Sequence, residues 1–233
     1  TLSSSSAASD VYKRQDALGR DVYSRTVWGA RISLLVGVVV ALAATVGGVL
    51  LGMLAGYFRR LDALIMRIMD GLMAIPGVLL AIALMATLKG GLGTVIVAIV
   101  VPEIPRVVRL VRALVLTIRE QPYIEAAVAS GTRVPAILLR HILPNLFAPL
   151  MVQATFIAAS AILTEAVLSF LGVGIPPHTP SWGNIMAEGR NFVAVAFHII
   201  LYPGLFLGVA VLAVNLVGDG LRDMLDPRLA KKI

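Results

Sequence analysis

Five apolar runs divide the chain. Ile32 to Gly56 carries no charged side chain, and Gly71 to Leu88 is shorter but gains a helical lead-in from Ile68. Leu92 to Pro102 is apolar and then meets Glu103, Pro105 and Arg106, which predicts a span ending in a polar helical extension. Asn145 to Leu171 contains one charge, Glu165, and Asn191 to Gly218 contains none. About 20 apolar residues cross a bilayer core as a helix. Barrel strands would instead alternate polar and apolar over about ten residues, and these runs do not. Helices and closed barrels are the only backbones that satisfy their hydrogen bonds in lipid. The pattern therefore predicts an all-α, polytopic membrane helix bundle with five visible spans.

Composition agrees with that reading. The chain is 58% hydrophobic and 14% charged, with a mean hydropathy of +0.91, against about 25% charged residues in soluble domains. It lacks the polar surface to cover itself in water and requires membrane lipid. Without cysteine there is no disulfide, thiolate nucleophile or Cys-ligated metal site. The net charge of +7 is spread over loops, with no basic run of five or six residues, so no nucleic acid partner is expected.

The charges also orient the bundle. One set of connections holds Arg59, Arg60, Arg67, Arg106, Arg109, Arg112, Arg119, Arg133 and Arg140, and the C-terminal tail adds Arg222, Arg228, Lys231 and Lys232. The alternate loops hold Lys89, and Arg190 balanced by Glu188. Basic residues gather on the cytoplasmic side, so the first set and the C-terminus are expected there. Five spans would then leave Lys13, Arg14, Arg20, Arg25 and Arg31 outside, against the rule. One further helix ahead of these spans removes the conflict, giving five visible spans of an expected six. The opening "TLSSSSAASDVYKRQ" reads as a non-native remnant over residues 1–15. An outer pre-helix segment follows at 16–31, then a transmembrane domain at 32–218 with a cytoplasmic loop at about 119–144, and a cytoplasmic tail at 219–233.

That loop carries the most information. Glu103 to Arg140 contains six arginines and three glutamates. Each arginine at a bilayer centre costs roughly 2.5–3.5 kcal/mol, so the region does not span as a unit. Pro122 suits a helix start, and Glu125, Ala126, Ala127 and Ala129 are good helix formers. Gly131 permits a break with positive φ, and Pro135 suits the first turn of a second helix. The expected product is a short helix, a turn and a helix returning to the membrane, with a small Ala face open to close approach.

"EAAVASG" followed by "HILPN" resembles the EAA loop of ABC importer permease subunits. Its pattern falls on Glu125, Ala126, Ala127, Gly131, Leu143 and Pro144, with His141 standing where the general pattern has an apolar residue. "LGRDVYSRTVWGARISLLVG", "MDGLMAIPG" and "TEAVLSFLGVGIPPHTPSWGNIM" follow the order of the C-type permease subunit of dipeptide/oligopeptide importers. The resemblance runs from about Asp16 to Leu229. It implies a type I ABC importer transmembrane domain in a bacterial-type inner membrane. It also implies a second permease subunit, two cytoplasmic ATPase subunits that bind ATP and Mg, and an extracytoplasmic substrate-binding protein. Glu125 to Gly131 would then be the coupling helix, with Ala126 and Ala127 on the docking face, Gly131 at the hinge and Glu125 in polar contact. The chain has no G-x-x-x-x-G-K-[ST] loop, so it is expected to hold no cofactor and to leave ATP hydrolysis to its partners. Dipeptides, oligopeptides, glutathione and nickel complexes all remain open as cargo.

Several residues carry narrower expectations. Gly48, Gly52 and Gly56 line one helix face, suited to close helix packing or to a substrate-lining groove. Glu165 is an intramembrane carboxylate, either a structural hydrogen-bond partner or the ion site of a self-sufficient secondary transporter or channel. Asp70 and Arg67 stand at helical spacing for a local ion pair, and Pro76-Gly77 marks a kink or a helix start. His141, His178 and His198 are too scattered to form a metal site. The Pro/Gly-rich stretch from Gly172 to Arg190, anchored by Trp182, suits contact with an external binding protein, closure of the outer face, or both.

Overall fold

The computed structural model describes residues 15, 16, 18–88 and 90–225. Lys13, Arg14, nearly all of the Ser-rich opening, Lys89, Arg228, Lys231 and Lys232 lie outside the described residues. The first helix, α1 (Val22–Tyr57), starts where Asp21 accepts the N–H of Ser24 at 2.8 Å, filling one of the donors every helix start leaves open. Capping thus begins the helix at Val22 rather than Ile32. Arg25 and Arg31 ride on its first turns, and the expected pre-helix segment is non-helical only up to Asp21.

After α1 come α2 (Arg59–Met73) and α3 (Gly77–Thr87), bent by 90° at the break between them. The expected single span from Gly71 to Leu88 is therefore two pieces. Pro76 marks the break: it sits extended, at φ −53° and ψ 129°, and caps α3 without an N–H of its own. At 1.5 Å per residue α3 is about 16 Å long, half the ~30 Å hydrocarbon core.

The chain continues through α4 (Leu92–Arg119), α5 (Pro122–Ala129) and α6 (Val134–Ala136) to a π turn at Ile137–Ile142. It ends with α7 (Leu143–Phe170), α8 (Trp182–Gly189), a 3-10 turn (Arg190–Phe192) and α9 (His198–Leu225). Among the described residues, α1, the unit from Val134 to Phe170, and α9 are long and apolar enough to cross a membrane, and the α2–α3 pair adds a fourth if counted as one broken span. The apolar run from Leu92 continues unbroken into its polar extension, as α4. The final run enters its helix at His198, not Asn191, because residues 191–197 form turns.

Helix α1 lies against α4 through its glycine face. A Cβ on Gly52 would sit 2.6 Å from Val111 Cβ, and one on Gly56 2.6 Å from Val115 Cβ; at Gly48 the obstacle is Val107. Valines and glycines, both repeating every four residues, interlock along one seam, and the missing side chains allow the backbones to approach. Helix α7 closes on α1 at Gly37, where a Cβ would meet Ile162 Cγ1 at 2.6 Å. Val36, Val40, Ala44, Ile99, Val107, Val111, Ile157 and Leu168 fill the space between these helices.

Helix α2 lies along the arginine-rich half of α4. Asp62 pairs with Arg112 through two hydrogen bonds, and Asp70 accepts from Arg109 at 2.6 Å. Asp70 thus pairs across helices and not with Arg67. The fold turns its carboxylate toward α4, and a planar guanidinium suits such a contact. The Asp70–Arg109 pair is largely solvated and so contributes at most about 1 kcal/mol.

Candidate functional site

Helix α5 stands apart from the bundle. Pro122 occupies its first turn, where a missing N–H is harmless, and Glu125 lies in that turn, favoured by the helix dipole. Ile124 is its one buried residue, 1% exposed, and packs in the main core with Ile137 and Ile142. Glu125 and Ala126 are exposed and Ala127 half-buried. A single apolar peg therefore holds the helix to the bundle and leaves the rest of it presented.

Its end is equally well defined. The Gly131 N–H donates to Val128 O at 3.0 Å and the Thr132 N–H to Ala127 O at 3.0 Å, with Gly131 at φ +79°. These are the paired bonds of a left-handed helix cap. The same arrangement ends α7, where Gly172 at φ +83° donates to Ser169 O and Val173 to Leu168 O.

Leu143 and Pro144 join this turn to α7. Pro144 has no N–H, and its ring would crowd the carbonyl four residues back. The preceding turn is widened, with the Leu143 N–H reaching Leu138 O. π turns of this kind relieve such crowding and are frequent at functional sites. Asn145 completes the junction: its Nδ2 donates to His141 O at 2.6 Å and, at 3.5 Å, to the hydroxyl of Tyr123 on α5.

Glu165 lies on the opposite half of α7, fully enclosed. Ser169 Oγ donates to its Oε1 at 2.8 Å and Ser33 Oγ to its Oε2 at 3.0 Å. Ser33 Oγ accepts from the Trp182 N–H at 3.3 Å, and Ser169 Oγ accepts from the Ile175 N–H at 3.2 Å. One carboxylate thus ties together α1, α7, the following loop and α8. Glu165→Gln, which keeps the shape and an acceptor, is expected to retain most transport with no new dependence on a proton gradient. Glu165→Leu is expected to lower the yield of folded protein severely by leaving two buried serines without their acceptor. Equal loss of uptake in both variants, with folding intact, would count against the tie.

The loop after α7 is pinned inward. Trp182 is 1% exposed, and its Nε1–H donates to Thr26 O at 3.0 Å. Its ring is part of the core and anchors the loop to the bundle. Packing is tight enough that a Cβ on Gly183 would meet Ala166 O at 2.6 Å. Asn184 Nδ2 holds the carbonyls of Ile175 and Thr179, both at 3.0 Å. At this end Asp16, Arg20, Arg25 and Glu188 form an ion cluster with contacts of 2.5–2.8 Å. Burial works against the Asp16 carboxylate, but hydrogen bonds from the Arg20 backbone and side chain and from the Leu18 N–H hold its pKa below the usual value. Of the three histidines, His198 Nε2 lies 3.2 Å from Gln15 O and His141 neighbours Tyr123. Among the described residues no group of three or more His, Asp or Glu could hold a metal.

Comparison with known proteins matches residues 48–231 to the model of the binding-protein-dependent transport system inner membrane component. The chain belongs to that family. It is 58% identical over 217 residues to the probable peptide ABC transporter permease protein y4tQ of Sinorhizobium fredii, covering 93% of this chain and 75% of that protein. It is 45% identical over 215 residues to the di/tripeptide transport system permease protein DppC of Pseudomonas aeruginosa, covering 92% and 71%. A chain of the MetNI methionine ABC transporter, solved in an inward-facing form, superposes with a TM-score of 0.69 at 21% identity, covering 86% of this chain and 95% of that one. That likeness shows the shared fold, the type I ABC importer permease architecture. This inner-membrane permease is thus a component of an ABC transporter, a class that works with ATPase subunits and a binding protein. Membership displaces the alternative of a self-sufficient transporter running on Glu165.

Within the permease, one polar group escapes a reading of the apolar runs alone. Glu103 registers in the sequence only as the end of an apolar stretch, yet it is buried in α4 and accepts from Ser160 Oγ of α7 at 3.0 Å. Arg106 Nη1 approaches its two oxygens at 3.4 and 3.3 Å. The one sequence signal is its position between Pro102 and Pro105, which together interrupt the backbone bonding of α4.

Proposed function

We propose that this chain is one of two permease subunits of a peptide importer, with its arginine-rich side and C-terminus in the cytoplasm. Two ATPase subunits, which bind ATP and Mg, grip helix α5 there, and a substrate-binding protein delivers cargo at the opposite face. The chain itself holds no cofactor and hydrolyses nothing. Glu125, Ala126 and Ala127 form the docking surface, Gly131 the hinge, and Leu143 with Pro144 the stiff return into α7.

The observation that carries this reading is the presentation of α5: a helix pegged to the core by Ile124, capped by Gly131 and exposed along its Glu125–Ala126 side. A lever needs a handle that a partner can hold and a rigid link that transmits the pull. The names of the relatives support peptides as the cargo class.

The chain has no native cysteine, so Ala126→Cys gives a single reactive thiol on the proposed handle. Paired with an engineered cysteine in the ATPase groove, it is expected to form an intersubunit disulfide in native membranes. Absence of cross-linking at Ala126, when a control cysteine pair in the same complex reacts, would remove α5 from the interface.

A further inference from the structure

A cavity of about 270 Å³ opens beside the 90° break between α2 and α3, lined in part by Pro76, Pro102, Glu103, Arg106, Ser160 and Thr164. Four helices contribute: α2 at its end, α3 at its start, α4 at its proline-interrupted turn, and α7. A carboxylate within an apolar helix bundle faces a partner or a cavity, and Glu103 has both. Ser160 donates to one of its oxygens, and Arg106 approaches only at 3.3–3.4 Å with more than half of its side chain exposed. A carboxylate has about four acceptor positions, so Glu103 keeps capacity unused.

The two hydroxyls share that character. Ser160 commits its proton to Glu103, and Thr164 donates to Ser160 O at 2.8 Å. Both oxygens therefore retain lone pairs. The lining is rich in acceptors and has a single cation, Arg106, half turned out to solvent. An ammonium carries three donors and no acceptor and complements such a lining.

We propose that Glu103, Ser160 and Thr164 form a transient binding station for the free α-ammonium of a peptide in transit. Arg106 neutralises Glu103 while the station is empty and yields it to the incoming ammonium. The cavity is smaller than the ~300–1,000 Å³ of drug-sized pockets, so it takes one end of a peptide and leaves the rest in the open path. The exposed, long-distance Arg106 contact is weak, which suits a station that must release its occupant. This inference rests on the peptide importer reading and names a site for it.

The test uses the complete importer in proteoliposomes, with permease pair, ATPases and binding protein, and labelled di-, tri- and tetra-alanine as probes. Glu103→Gln keeps the size and the Ser160 hydrogen bond while removing the charge. It is expected to lower alanine-peptide uptake about tenfold at saturating binding protein, with complex assembly and binding-protein-stimulated ATPase activity within twofold of the unaltered importer. Glu103→Asp should recover part of the loss. In a second readout, Thr164→Cys supplies a lone thiol in the cavity. The alanine peptides should slow its reaction with a water-soluble thiol reagent at least fivefold, and should cease to do so when Glu103→Gln is added.

Unchanged uptake by Glu103→Gln in an importer that carries the peptides would overturn the station and leave the peptide reading intact. Loss of assembly or ATPase stimulation together with uptake would make Glu103 a packing residue. Protection by anionic lipid but not by peptides would assign the cavity to a headgroup. An unaltered importer that moves none of the alanine peptides would overturn the peptide reading, and the station with it.

Discussion

Gly131→Val is expected to reduce transport at least tenfold while the partner ATPases continue to hydrolyse ATP. Gly131 holds φ +79°, and a Cβ there would meet no atom within 4 Å, so the obstacle is the backbone and not crowding. A left-handed conformation costs an ordinary L-residue roughly 1–2 kcal/mol, and a β-branched residue is a more serious misfit there. The cheapest relief is to unwind the turn that carries the hydrogen bonds to Ala127 and Val128. Helix α5 would then keep its exposed Glu125–Ala126 side and lose its fixed angle to α7. Gly131→Asn is the informative control, because asparagine tolerates this conformation and should retain much of the coupling. The ratio of peptide moved to ATP hydrolysed, measured in one proteoliposome preparation, separates the cases. A valine variant with the normal ratio would deny the turn its hinge role.

Gly52→Leu should severely destabilise the bundle. Its Cβ alone would lie 2.6 Å from Val111 Cβ and 3.0 Å from Val108 O. The second obstacle is backbone, which cannot rotate away, so α1 and α4 must separate along their shared seam. Overpacking commonly costs about 1–3 kcal/mol, and a displaced helix pair adds the loss of its neighbours' contacts. The expected result is a sharply lower unfolding temperature in detergent and little complex recovered by size exclusion. Gly52→Ala should be milder, and adding Val111→Ala to it should recover part of the loss, since the two sites share one contact. If Gly52→Leu instead assembles and unfolds normally while changing which solutes are carried, the glycine face lines a substrate groove and is not a packing seam.

Legibility differed from residue to residue, for physical reasons. The start of α5 at Pro122, the break at Gly131 and the first turn at Pro135 follow from rules acting within one or two helical turns, and all three stand in the structure. The π turn ahead of Pro144 follows from similar local chemistry but needs the helix to continue through it. The 90° bend at Pro76 exceeds what a proline alone specifies. Asp70 looked to Arg67 by spacing, yet its partner Arg109 lies on another helix. A Pro/Gly-rich loop usually runs over the surface, whereas the stretch around Trp182 folds back against Thr26 and Ala166.

The sequence by itself determined that this protein lives in a bilayer as helices. It also determined where helix α5 begins and ends, and which glycine face invites another helix. Those properties are set by side chains a few positions apart and by the solvent each run requires. Only the tertiary structure decided that the glycine face receives Val107, Val111 and Val115, that Glu165 binds Ser33 and Ser169, and that Glu103 meets Ser160 beside a cavity. In each case at least one partner lies tens of residues away in the chain. A polar or a small side chain states that it needs a neighbour, and the packing of the helices supplies it.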